Sequence, residues 1–405
     1  MHCLIVGKVW PEPNSTAAGR RVIDLIEALH CAGYAVSFAS AAEKGPYRAD
    51  LRNLGVTEHA IAVNDSGFDH WIRELSPNVV IFDRFMTEEQ FGWRVELACP
   101  QALRILETSD LHCLRDARAE SVKTNAPANL KNAVALREIA SILRCDGTLI
   151  ISEVEMEILQ SEFGIDPELL LYWPFLIDAP DVQQFNSYEK RKHCILIGSF
   201  LHAPNLDAAR WCRDMIWPKI RKELPETELH IYGSYGDKYA SELNAPKQGI
   251  LYKGRAEDAL ETMAQYRVNL APLRFGAGLK GKVFDGFLTG TPTVCSLIGA
   301  EGITGALGWG CTISEDPDLF AQAAVATYQT VAVWTEVQTA GQAILKERFL
   351  REVWQPKLGA WLSAVASDLE GRRQRNFTGQ MLRHHHHRST EYMSRWIEAK
   401  NRKAD

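Results

Sequence analysis

A strand-then-helix grammar runs through this chain twice, and it constrains the fold more than any other feature. The first pass opens with the apolar run HCLIVG (2–7), a loop, and the amphipathic stretch RRVIDLIEALHCAG (20–33). AVSFAS (35–40), NVVIFD (78–83), ALRILET (102–108) and GTLIIS (147–152) continue it as short β-rich runs separated by helical ones. Such alternation predicts βαβ units and a parallel sheet. LYWPFLID (171–178) then breaks the pattern with a proline, and a polar stretch follows. The second pass begins at HCILIGSF (193–200) and continues through a helix at 205–224, ELHIYG (228–233) and a helix at 257–266 to VNLAPL (268–273). The expected fold class is α/β with two domains, at 1–175 and 179–345. Terminal helices at 345–370 cross back to the first domain, and a basic tail occupies 371–405.

At 405 residues the chain is long enough for two full cores. Hydrophobic residues at 46% and charged residues at 24% are ordinary for a soluble globular protein. The apolar runs are too short to cross a bilayer, and MHCLIVGKVW lacks a basic n-region, so no transmembrane segment or signal peptide is expected. Nine cysteines without a CxxC pair read as reduced packing residues of a cytosolic protein, not a disulfide frame or zinc site. The net charge of −6 is uneven: residues 371–405 hold nine Arg or Lys against three acids. A tail of +6 leaves −12 on the body.

Between VNLAPL and the next helix lies LRFGAGLKGK (273–282). Gly276, Gly278 and Gly281 allow close backbone approach to a ligand, and the helix start offers free N–H groups to an anion. Lys280 and Lys282 add point charges suited to a diphosphate, and Asp285 on the helix can accept hydrogen bonds from a ribose diol. The Walker pattern is missing, because Val283 follows Lys282. These residues point to a nucleotide-linked substrate and away from a P-loop ATPase; the plain alternative is a strand–helix turn with solvated lysines. The loop lies at a strand's C-terminal end, where ligands of parallel-sheet proteins bind.

IGSFLHAPNLDAARW (197–211) and the unbroken segment from KGRAEDALETMAQY (253–266) through VNLAPLRFGAGLKGKVFDGFLTG to PTVCSLIGAEGI (292–303) resemble the donor domain of retaining GT-B glycosyltransferases of the family-4 type. The resemblance is strong over 195–303, weaker in the first half, and covers roughly 1–365. It implies two Rossmann-like domains facing a cleft, with a C-terminal helical basic extension. Gly198, His202 and Asn205 then belong to the phosphate-side loop, Gly254 and Arg255 border the base, and Arg274, Lys280 and Lys282 neutralise the leaving diphosphate. The family's Glu-x7-Glu pair is altered, with Ala277 at the first place and Asp285 at the second. Glu301 is either a substitute partner for the donor sugar or a helix-cap residue. ILETSDLHCLRDAR (105–118) resembles the segment that sets a histidine beside that sugar, here His112 with Asp110 next to it. On its residues alone His112 reads as a surface-loop histidine. SEVEMEIL (152–159) reads as a helix start in which Ser152 caps and Glu155 completes a capping box. PNSTAAGRR (13–21) resembles the acceptor-side loop, with Gly19 near the acceptor and Arg20 a contact for an anion.

The resemblance implies transfer of a sugar from a UDP- or GDP-sugar to an acceptor hydroxyl with retention of configuration, using no cofactor and no metal. His112, Asp110 and Lys280 are then the catalytic set, His112 orienting the sugar and steadying positive charge. The acceptor is a glycan, a lipid-linked sugar or a phosphate-bearing molecule, and the protein cytoplasmic or peripheral at the inner face of a membrane. A nucleotide-sugar 2-epimerase or hydrolase, and a non-catalytic sugar-nucleotide-binding subunit, are the rivals. The tail, with His384 to His387 in a row, reads as a solvated basic helix, and alternatively as a contact for nucleic acid or an anionic membrane.

Overall fold

The computed structural model describes residues 1–401. Its first sheet holds β1 (His2–Gly7), β2 (Ala35–Ser40), β3 (Thr57–Ala60), β4 (Val79–Asp83), β5 (Leu103–Glu107), β6 (Gly147–Ile150) and β7 (Leu170–Tyr172). The second holds β8 (Lys192–Ile197), β9 (Leu229–Tyr232), β10 (Ile250–Gly254), β11 (Tyr266–Ala271) and β12 (Thr293–Cys295). Their orders are 3-2-1-4-5-6-7 and 10-9-8-11-12, and every pairing is parallel. β4 and β5 are buried along their whole length, which is why they read as continuous apolar runs. The strand order reverses beside β1 and again beside β8, opening a crevice at the C-terminal ends of each sheet.

Several elements differ from the sequence reading. Leu170–Tyr172 does not break the first pattern but completes it, pairing Thr148 with Leu170 and Ile150 with Tyr172 as the edge strand. The edge strand β3, TEHA, is polar and half-exposed and so carries no alternation. The helix expected over 205–224 is two α segments, Ala203–Trp211 and Trp217–Glu223, joined by a π turn at Cys212–Ile216. The helix expected at 257–266 shortens to Ala259–Met263, capped by Asp258, which accepts from the Glu261 N–H at 2.8 Å.

The chain leaves the second sheet by the Val331–Arg348 helix and passes the interdomain residue Ile177, which bridges to Leu350 and whose N–H donates to Phe349 O at 2.9 Å. The Arg351–Ser367 helix then buries Leu358, Leu362 and Val365 in the same core as Leu25, Ile26 and Leu29 of the first domain. Leu369–Arg375, Phe377–Leu382, a π turn and Arg388–Asn401 follow, packed on the Phe85–Ala98 and Ala133–Arg144 helices.

This packing overturns the solvated basic tail. Arg373 donates to both oxygens of Asp146 at 2.8 Å, to Pro100 O at 2.6 Å and to Ala102 O at 2.9 Å. Buried Arg383 donates to Arg144 O at 3.1 Å. Buried His387 sits between Glu96 and Glu88. Burial opposes the charge of both glutamates, yet Arg144 and His387 hold Glu88 near about 2, and His387 with Arg104 does the same for Glu96. Burial likewise works against His387⁺, and the two carboxylates override it and raise its pKa. The polar side of the tail faces the body, while Phe377, Tyr392 and Trp396 lie outward at 64, 68 and 59% exposure. Arg402, Lys403 and Asp405, part of the tail's charge count, lie outside the described residues. Among the described residues no helix is long and apolar enough to cross a membrane.

Candidate active site

The loops that leave the C-terminal ends of both sheets line one cleft of about 740 Å³. On the second-domain side, β11 runs into the loop that holds Gly276 (φ 153°) and Gly278 (φ 63°) and then into the Gly281–Leu288 helix. Gly278 needs its glycine twice over: its φ is left-handed, and a Cβ there would sit 3.0 Å from the Asp110 Cβ of the other domain. Lys280 is buried and its ammonium is held by the Gly278 carbonyl. Burial lowers its pKa, and burial also brings Lys282 down to about 8. Lys282 donates to Asn205 Oδ1 at 2.6 Å, and Asn205 Nδ2 donates to Ser199 O at 2.8 Å. Gly198 fits beneath this pair, since a Cβ would lie 2.7 Å from Asn205 Nδ2. His202 stands at the N-cap of the Ala203–Trp211 helix, open to the cleft.

On the first-domain side, β5 leads through Ser109, also left-handed at φ 61°, to Asp110 and His112. His112 opens the His112–Thr124 helix and is buried, so the surface-loop reading is replaced. Its N–H donates to Glu138 Oε1 at 3.0 Å, its Nδ1 lies 3.1 Å from Asp110 O and 3.3 Å from Glu138 Oε1, and Phe85 meets its ring edge-on at 5.4 Å. Burial opposes the Asp110 carboxylate, but the paired Arg115 guanidinium overrides it and holds the group below its usual value.

Gly19, Arg20, Asp110, His112, Gly198, His202, Asn205, Arg255, Gly276, Lys280, Lys282 and Asp285 all line this cleft. Four expected residues do not. Arg274 turns away to pair with Asp207, 2.9 Å from Nε to Oδ2. Gly254, left-handed at φ 73°, ends β10 one residue before Arg255, whose guanidinium covers Tyr47 at 4.1 Å. Gly278 faces Glu155 and Asp110, outside the cleft lining. Glu301 stands at the C-cap position of the Leu297–Ala300 helix and is not free for a sugar, because Arg118 takes both its oxygens at 2.6 and 2.8 Å. Arg20 and Asp285, expected in separate roles, bond each other across the cleft at 2.6 Å.

The residue that sequence reasoning misplaced is Glu155. Ser152 makes no capping bond, and Glu155 forms no capping box. Its buried Oε1 accepts from the Leu111 N–H and the Gly278 N–H, both at 2.8 Å, joining the His112 loop to the Gly-rich loop. Burial raises its pKa. Arg118 completes the grip by donating to Gly276 O at 2.8 Å. The signal for Glu138 was present, a carboxylate on the apolar face of ALREIASIL beside Ala135 and Ile142. For Arg118 there was none.

Residues 191–330 match the family model described as Glycosyl transferases group 1. The chain superposes on HepE of Anabaena in complex with UDP, with a TM-score of 0.66 and 12% identity over 90% of this chain and 100% of that one. The chain has the GT-B fold of the group 1 glycosyltransferases. Sucrose-phosphate synthase of Thermosynechococcus elongatus gives a TM-score of 0.66 at 13% identity, over 91% of this chain and 100% of that one. TarM, which is also known from S. aureus, gives 0.70 at 8% identity, over 89% and 99%. A 213-residue stretch is 24% identical to an uncharacterized 44.6 kDa protein in the cps region of Klebsiella pneumoniae, 50% of this chain and 53% of that one. The match thus spans about half the length of that curated relative.

Proposed function

We propose that this protein transfers a sugar from a nucleoside-diphosphate sugar, a UDP-sugar before a GDP-sugar, to an acceptor hydroxyl with retention of configuration and without a bound metal. The observation that carries the reading is the buried, positive Gly276–Lys282 loop, clamped from the opposite domain and facing the His112 side of one cleft. Lys280, Lys282 and the start of the Gly281–Leu288 helix offset the charge of the leaving diphosphate. Asp285 takes the ribose once Arg20 releases it. His112 orients the donor sugar, while the departing phosphate draws the proton from the acceptor on the same face. HepE, of the same fold, is known with UDP and with UDP-glucose, which favours uridine. An epimerase needs a carboxyl that can cycle its proton at the sugar; Asp110 is tied to Arg115 and held ionised, which favours transfer. Nine unpaired cysteines suit a reducing cytoplasm.

Thermal shift against a panel of nucleotide sugars tests this reading. A bound donor at a hundredfold excess over Kd stabilises the fold by about 3 kcal/mol. Lys280→Ala should lose most of that shift with its ligand-free melting point little changed. Equal shifts in the two proteins would exclude this loop as the donor site.

A further inference from the structure

On the first-domain side of the cleft, the cationic side chains of Lys8, Arg84 and Arg115 gather on one wall. Arg84 follows β4 directly and holds φ 72° and ψ 157°, a region of backbone space that is essentially glycine's own. Its N–H donates to Glu107 O at 2.7 Å, and its carbonyl accepts from Thr87 N at 3.2 Å and Thr87 Oγ1 at 3.0 Å, so the strained residue is pinned at both ends. In return the side chain gains no hydrogen bond among the described residues. Among the described residues its only charged neighbour is Asp83, 3.7 Å from Nε to Oδ1, and the side chain is 13% exposed. Its nitrogens are not sealed from water, and the guanidinium, lining the cleft, keeps its donors available to a ligand there.

Lys8 follows β1 and lines the mouth of the same cleft as an exposed residue, and its ammonium has no partner among the described residues. Partial burial, then the nearby Arg84, holds its pKa below the ordinary value, with Arg115 adding to the repulsion. Arg115 supplies the third cation, paired with Asp110. Asp83 and Asp110 are shared among Lys8, Arg84 and Arg115, and Asp116 and Glu138 add their charge at Arg115, so Lys8 and Arg84 are the two whose side chains make no hydrogen bond to a carboxylate among the described residues. None of them belongs to the domain that carries Lys280 and Lys282. A strained cation aimed into a cavity, beside a second with no partner, is a site made for an oxyanion.

We propose that Lys8, Arg84 and Arg115 form an oxyanion subsite for the acceptor, so that the acceptor carries a phosphate or carboxylate group close to the hydroxyl that receives the sugar. The inference rests on the glycosyltransferase reading above, and one experiment separates the two. Protein saturated with UDP, which fills the donor side, is titrated with inorganic phosphate by calorimetry. Saturable phosphate binding is expected, at least tenfold weaker in Arg84→Gln and in Lys8→Gln, with the UDP affinity of both variants within twofold of wild type. Arg84→Gly guards against a folding artefact: glycine suits φ 72°, so this variant should melt no lower than wild type and still lose phosphate. Absent phosphate binding on the UDP-loaded protein, or equal binding in the variants, overturns the subsite. Loss of UDP affinity in Arg84→Gln assigns the anion to the donor and overturns it as well. Failure to bind UDP at all instead defeats the underlying reading.

Discussion

Replacing Glu155 by alanine removes one acceptor oxygen that serves two buried N–H groups, and the two losses fall in different places. The Leu111 N–H belongs to the first domain in every state, so its loss is a cost to the fold, about 1–3 kcal/mol for a buried unsatisfied donor. The Gly278 N–H comes from the other domain, so this bond holds the two domains in the arrangement seen here. Its loss is therefore a cost to that arrangement, also about 1–3 kcal/mol. A ligand that binds this arrangement has its apparent affinity reduced in proportion to the population lost, roughly 5–150-fold here. Glutamine is the informative companion, since its amide oxygen can accept both bonds and burial already disfavours the charge it removes. Calorimetric titration with UDP should show Glu155→Ala binding roughly 5–150-fold more weakly. Glu155→Gln should lie within about threefold of wild type. A Glu155→Ala protein with lowered melting temperature but wild-type UDP affinity would confine Glu155 to the fold and refute the clamp. Glutamine as damaging as alanine would show that charge, not hydrogen-bond acceptance, carries the effect.

Other outcomes follow from the same structure. His112→Ala should slow transfer by about a hundredfold or more, roughly 2.7 kcal/mol of transition-state stabilisation, while UDP still binds; normal turnover would remove His112 from the site. Arg373→Ala leaves the buried Asp146 carboxylate without its bidentate partner and should lower unfolding free energy by about 3 kcal/mol in urea titration; a change below about 0.5 kcal/mol would mean that the tail is not docked as described. Because the folded pKa of His387 is raised, its contribution is full below the unfolded value and lost as pH rises through the folded one. The melting-point gap between wild type and His387→Gln should therefore be wide near about pH 6 and narrow near about pH 9, and an equal gap at both contradicts the ion pairing.

What could be read in the chain was whatever is contiguous in it. The phosphate loop from Gly276 to Asp285 announces itself because glycines, lysines and a helix start must follow one another within ten residues to do their work. The doubled alternation did the same for the buried strands. Contacts between distant residues leave no such trace. Arg20 meets Asp285 across 265 positions and Glu155 meets Gly278 across 123, so a cross-domain clamp read as a capping box. The tail misled for the same reason, since the carboxylates that bind its cations stand at Glu88, Glu96 and Asp146. β3 and β12 were hidden by brevity, with four and three residues and no period to detect.

The return of the last helices to the first domain has a consequence for biosynthesis. The sheet that emerges first from the ribosome lacks the Leu358, Leu362 and Val365 side of its core, and Gly147 waits for Trp361 to close over it. Roughly 220 further residues must be made before Ser394 can reach Arg94. At typical rates of synthesis that interval lasts roughly ten to forty-five seconds. For that time Glu88, Glu96 and Asp146 keep Arg144 and Arg104 but lack His387, Arg383 and Arg373, beside unfinished apolar surface. The second domain, whose sheet is built from one continuous stretch, is complete well before the first. The order of completion is thus the reverse of the order of synthesis, and chaperones attending the nascent chain should be found on its N-terminal half.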